Sequence, residues 1–132
     1  MAASRSEALG AAGLVVGGGA GAGDAAGWAL IADLARALSA PLGATRPAVD
    51  EGWAPSDMMI GQSGQRISPQ VYLTVGVSGD LQHLVGVAEE TTIIAINADG
   101  AAPIFGRSEF GVVGDFRVIV AALLRHLRST AG

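Results

Sequence analysis

Apolar residues in this chain fall in short runs broken by glycine and small polar residues, and stretches with helical spacing follow most of the runs. Leu14–Val16 reads as a strand entering the glycine-rich turn Gly17–Gly23. Trp28, Ile31, Leu34, Ala35 and Leu38 then recur at helical spacing, predicting a helix from about Asp24 to Ser39. Asp24 is its N-cap, and Pro41 lies just past its end. Leu42–Thr45 predicts a second strand, Trp53–Asp57 a loop, Met58–Ile60 an apolar step and Gly61–Gln65 a tight turn. Val71–Val77 is the clearest strand, apolar on both faces as in the middle of a parallel sheet. Ser78-Gly79 breaks it, and a helix of about two turns is expected from Asp80. Thr92–Ile96 predicts another buried strand, ending at Asn97, while Ala102–Phe105 and Phe110–Val113 read as short edge segments. Asp115–Arg128 closes the chain as an amphipathic helix with Val118, Ile119, Ala122, Leu123 and Leu127 inward.

Strands alternating with helices imply an α/β fold: three layers, a mostly parallel sheet with helices on both faces, Rossmann-like in plan. The 132 residues suffice for one such domain, read as 13–132, behind a flexible lead-in over 1–12. Composition then removes several functions. A formal charge of −4 argues against nucleic acid, which requires a basic surface. Cysteine is absent, excluding disulfides and thiolate chemistry. Lysine is absent too, excluding Schiff bases and a Walker-type phosphate site, and two histidines cannot form a multi-histidine metal centre. No apolar run is long enough to span a membrane. A cytoplasmic setting is expected.

Ligands of parallel sheets bind beyond the carboxyl ends of the strands, and the polar clusters of this chain lie there. In GGGAGAG, Gly18, Gly19 and Gly21 would let a phosphate approach the backbone, although the same run serves equally as a plain glycine-rich turn. Thr45 and Arg46 follow the second strand; a lone loop arginine is otherwise a solvated or ion-paired side chain. Gln62, Ser63 and Gly64 form the next turn. Ser78 and Gly79 end the main strand, with Gln82 and His83 in the first turn of the next helix, where N–H groups attract anions. The alternative for His83 is a histidine satisfied internally at a helix end. Asn97 ends a strand, and Asp115 stands where an ordinary N-cap would. His126 is read as a surface residue.

The sequence VDEGWAPSDMMIGQSGQRISPQVYLTVGVSGDLQHLVG over 49–86, preceded by ATRP, resembles the C-terminal FAD-binding domain of the electron-transfer flavoprotein alpha subunit. The resemblance runs from about Leu14 to Leu127. It implies a FAD/NAD-binding type of domain that holds FAD for one-electron transfer, with no covalent chemistry on a substrate. Under it Arg46 lies over the flavin ring beside Thr45, Ser63 hydrogen-bonds flavin N5 with Gln62 and Gly64 beside it, and His83 approaches flavin O2 next to Gln82. Ser78 with the neighbouring N–H groups at Gly79 and the Gly17–Gly21 turn hold the diphosphate, and Asn97 and Asp115 the adenosine half.

The chain departs from the family at Ala20, Gln65 and Ala98, where cations are usual, so weakened FAD binding is expected. The implied partners are a larger N-terminal domain, a beta subunit and redox proteins, with the chain read as an excised or a natural standalone domain. Exposed sheet edges leave self-association to form a homo-oligomer open. The alternative function is a non-redox nucleotide-binding or interaction module on the same fold. A nicotinamide-dependent dehydrogenase and a hydrolase fare worse, for want of an acid–base pair or a Ser–His–Asp arrangement.

Overall fold

A computed structural model of the chain describes residues 5–131. Five strands form one sheet: β1 (Leu14–Gly18), β2 (Leu42–Ala44), β3 (Val71–Val75), β4 (Thr92–Asn97) and β5 (Phe110–Val113). Their order is β2-β1-β3-β4-β5, and every pairing is parallel. Parallel neighbours need crossover connections, which supply the helices. The helices are α1 (Arg5–Ala11), ahead of β1; α2 (Ala25–Ala37), α3 (Arg46–Asp50), α4 (Leu81–Leu84) and α5 (Ile104–Arg107), in the crossovers; and α6 (Phe116–Ala131), after β5. The α/β, three-layer reading holds, in the 2-1-3-4-5 order of the doubly wound variant rather than the six-strand arrangement.

Alternation along the strands divides the core in two. Val16, Val75 and Ile96 face α2 and α6, where Ile31, Leu34, Val120 and Leu124 are buried. Val15, Tyr72, Ile93 and Ala95 face the other side, packed with Leu9, Ile60, Ile67 and Ile104. Asp24 caps α2, accepting the Gly27 amide at 2.8 Å, and the Arg117 guanidinium of α6 reaches the same carboxylate at 2.9 Å. One acidic side chain thus ends a helix and ties it to its neighbour.

Several local expectations are corrected. Part of the segment read as a flexible lead-in forms α1, whose Leu9 is buried against β2 and Ile60, while residues 1–4 lie outside the described residues. A helical turn with proline in its first turn, α3, follows β2 where no helix was expected. The helix after Asp80 is one turn, and Ala102–Phe105 is no edge strand but the approach to helical α5. On α6 the inward residues are Phe116, Val120 and Leu124, with Ile119 and Leu127 partly buried. Val118 and Leu123 point outward and Ala122 is exposed, because Phe116 anchors the helix under Trp28's cluster and sets its rotation.

Candidate functional site

Chain direction reverses between β1 and β3: the path goes outward from β1 to β2, then returns past β1 to β3. Segments after β1 and after β3 therefore leave toward opposite faces, while the turn at 60–67, after β2, shares a face with the segment after β3 and packs against it at the carboxyl edge. A cavity of about 310 Å³ lies there. Its walls come from three stretches: Arg46, Pro47 and Asp50 on α3; Met59–Ser63 on the following turn; and Asp80, Gln82 and His83 at the start of α4. The volume is at the small end of ligand pockets, suited to one ring system rather than a whole dinucleotide.

Local sequence explains each wall. Ile60 donates its amide to the Ala44 carbonyl at 2.9 Å, so the turn starts as a bridge to β2. Gln65 donates to Met59 at 2.7 Å and Gln62 to the Gln82 carbonyl at 2.7 Å, which seats the turn against α4. Gly64 closes so tightly on the Met59 carbonyl that a side chain would collide with it. Arg46 and the Gln62, Ser63 and Gln82 side chains remain exposed at the rim. The Arg46 guanidinium meets Asp50 only at 3.8 Å, with both side chains more than two-thirds exposed, a contact worth little in water.

His83 differs from the other rim residues. Its Nδ1 stands 2.9 Å from the Ile60 carbonyl oxygen and its Nε2 stands 2.8 Å from the Tyr72 hydroxyl. Burial pulls its pKa below the usual histidine value, against smaller opposing effects of the Ile60 carbonyl and the Asp80 charge. Burial likewise pushes the Tyr72 phenol well up, so it keeps its proton. Thr45, directly before Arg46, is buried, and its hydroxyl has no hydrogen-bond partner among the described residues. Buried hydroxyls seldom remain so, although Thr45 itself is not among the residues lining the cavity.

Of the residues singled out in the sequence, Arg46, Gln62, Ser63, Gln82 and His83 converge on the cavity. The remainder do not line it. Gly18 packs beneath Trp28, and the Gly19 and Gly21 amides donate to Val75 and Gly76 at 3.2 and 2.9 Å. That glycine run brings two backbones into contact at Gly76, whose φ is +67°. Gly79 turns with φ +88° against Ile104, and exposed Ser78 accepts the Ile104 amide through its carbonyl. Asn97 donates to the Val77 carbonyl at 3.0 Å and accepts the Asp99 amide at 2.9 Å. Asp115 accepts the Arg117 amide at 2.9 Å, the geometry of an N-cap on α6. Tyr72 and Asp50 went unremarked in the sequence, where Asp80 was read only as a helix start, and nothing marked Tyr72 within its apolar strand.

Residues 8–88 match the family model described as Electron transfer flavoprotein FAD-binding domain. The chain belongs to that family. It is 46% identical over 109 residues to the electron transfer flavoprotein subunit alpha of Paracoccus denitrificans, covering 83% of this chain and 35% of that one. It is 42% identical over 119 residues to the same subunit of Mycobacterium leprae, covering 90% and 37%. A mitochondrial relative from Arabidopsis thaliana is 40% identical over 119 residues, 90% of this chain and 33% of that one. The chain thus spans about a third of the length of the curated relatives it matches. A solved structure from Mycobacterium smegmatis, described as a thiamin diphosphate-dependent enzyme, aligns with TM-score 0.54 at 18% identity, over 89% of this chain and 26% of that one; it shares the fold. Among the described residues no helix is long and apolar enough to cross a membrane, and no cluster of potential metal ligands occurs.

Proposed function

We propose that this electron transfer flavoprotein domain holds the isoalloxazine ring of FAD in the cavity between the segments that follow β2 and β3 and serves one-electron transfer between protein partners. The observation that supports the reading most directly is the convergence of Arg46, Gln62, Ser63 and Gln82 from three separate segments on one cavity. A guanidinium with only a long contact to Asp50 fits a ligand that gains negative charge. When bound, the flavin supplies the redox chemistry, and the chain's part is binding, orientation and electrostatics.

Arg46 would place positive charge beside the ring, stabilising the form that has gained an electron. Ser63 would present its hydroxyl and Gln62 and Gln82 their amides, while His83 backs that wall. Ser78 and Gly79, at the end of β3, would face the diphosphate, and Asp115 with Asn97 the adenosine half. Because Gly19 and Gly21 spend their amides on β3, the diphosphate would draw little from that turn. A beta subunit, a larger N-terminal domain and redox proteins would be the partners that the family resemblance implies.

Titration with FAD, followed by flavin fluorescence, tests the reading. Saturable quenching is expected, and Arg46→Ala should weaken it about tenfold, the loss of one charge-assisted hydrogen bond. The same variant should make the reduction potential of the bound flavin more negative. A colourless protein that binds the dinucleotide no better than AMP would instead favour a non-redox nucleotide-binding module.

A further inference from the structure

Arg46 stands on α3, a helix of five residues, and helices shorter than about 12 residues are marginal by themselves in water. Contacts outside α3 must therefore fix where the guanidinium meets the cavity. Its pairing with Asp50 cannot, being long, exposed and confined to the same helix. The far end of α3 is held more firmly. Gly52, with φ +84°, donates its amide to the Val49 carbonyl at 2.9 Å, and Trp53 donates to the Ala48 carbonyl at 3.2 Å. These two bonds close the helix in the left-handed turn that glycine favours and bring Trp53 back beside buried Ala48. Its indole stacks on that of Trp28, with ring centroids 6.2 Å apart and planes at 28°. Trp28, on α2, is 8% exposed and lies so close to Gly18 that a side chain there would strike its ring. Trp28 is thus a fixed surface for its neighbour.

We infer that Trp53 is a positioning residue for Arg46: stacked on Trp28, it straps α3 to α2 and so fixes where the guanidinium meets the cavity. The inference deepens the FAD reading and rests on it for what Arg46 addresses. Ala48 and Val49 give α3 little apolar surface of its own, so the indole is the largest side chain joining this segment to the core. Stacked aromatic pairs add to stability beyond the area they bury, which makes Trp28 a better anchor than an aliphatic side chain of similar reach. Pro47 and Asp50 line the same wall of the cavity and would shift with Arg46 if the strap were cut.

Two measurements test the strap. The first, amide hydrogen exchange read by mass spectrometry, needs no ligand. Trp53→Ala should speed exchange over 46–52 about tenfold while β3 and β4 keep native protection, and Trp53→Phe should stay near native. Gly52→Ala should loosen the same residues by a second route, since its methyl meets open space but its φ resists any side chain. Native protection of α3 in these variants, or an equal loss throughout the sheet, would overturn the inference. The second measurement uses FAD. Trp53→Ala should weaken binding by up to about tenfold and make the flavin's reduction potential more negative, as Arg46→Ala does, with Trp53→Phe restoring both. Added to Arg46→Ala, it should weaken binding by less than about twofold more. A fully additive loss would mean that Trp53 acts other than through Arg46, and would also overturn the inference. Should Trp53→Ala fail to fold, Gly52→Ala carries both measurements. If the native protein binds no FAD, the proposed function fails, and exchange over 46–52 still decides whether α3 is strapped.

Discussion

The buried hydroxyl of Thr45 has a cost to the protein alone, because a hydroxyl removed from water without a partner is unfavourable by about 1–3 kcal/mol. Thr45→Val keeps the shape and removes that penalty. It should raise the melting temperature of the FAD-free protein while weakening FAD binding; thermal unfolding with and without FAD would read both. Equal effects in the two states would separate the hydroxyl from the ligand. His83 is a second residue whose value depends on burial. Its folded pKa lies below the ordinary value of about 6.5, so the unfolded chain binds more protons on acidification. The stability it contributes is complete above that ordinary value and falls as pH drops toward the folded pKa. Denaturant midpoints measured at descending pH should therefore decline below about pH 6.5 in the native protein and less in His83→Asn. Position at the strand ends and the family resemblance marked His83 and Arg46, but neither could separate a ring pointing at a ligand from one satisfied by a strand tyrosine eleven residues away.

Among the elements, those with long periodic patterns were legible. Trp28, Ile31, Leu34 and Ala35 form the buried stripe of α2 as their spacing implies, and Asp24 caps it. Asp24→Ala should cost about 1 kcal/mol as a lost cap, readable as a lower denaturant midpoint. Short elements were not legible. One-turn α3, α4 and α5 bury too little to show a period, and they exist because neighbouring backbone fixes them: Gly79 turning against Ile104, and Gln62 donating to Gln82. α1 is similar, seven residues carrying one deeply buried leucine. Leu9→Ala should destabilise by about 2–5 kcal/mol, as for other buried leucines, whereas a flexible lead-in would show no change.

For the molecule as a whole, the sheet is well protected in its middle and bare at one side. β5 leaves its outer edge unpaired, with Phe110, Val112 and Val113 exposed at 66, 45 and 59%. Edges of that kind invite pairing with other chains unless a charge or partner blocks them. Val112→Lys should reduce association of the isolated domain, seen as a lower scattering mass at high protein concentration; an unchanged mass would show that the edge is not the contact.

Sequence by itself determined the fold class, since β-runs apolar on both faces alternating with amphipathic helices can be buried only as a covered parallel sheet, and it marked the polar groups that stand at the strands' carboxyl ends. Only the tertiary structure decided which of those groups meet. The segments after β2 and β3 meet at the carboxyl edge and place Arg46, Gln62, Ser63 and Gln82 around one cavity, while Asn97 and Asp115 are drawn into local backbone bonds. The physical reason is that a side chain's partners are set by packing across the sheet, over separations in sequence that no local pattern records.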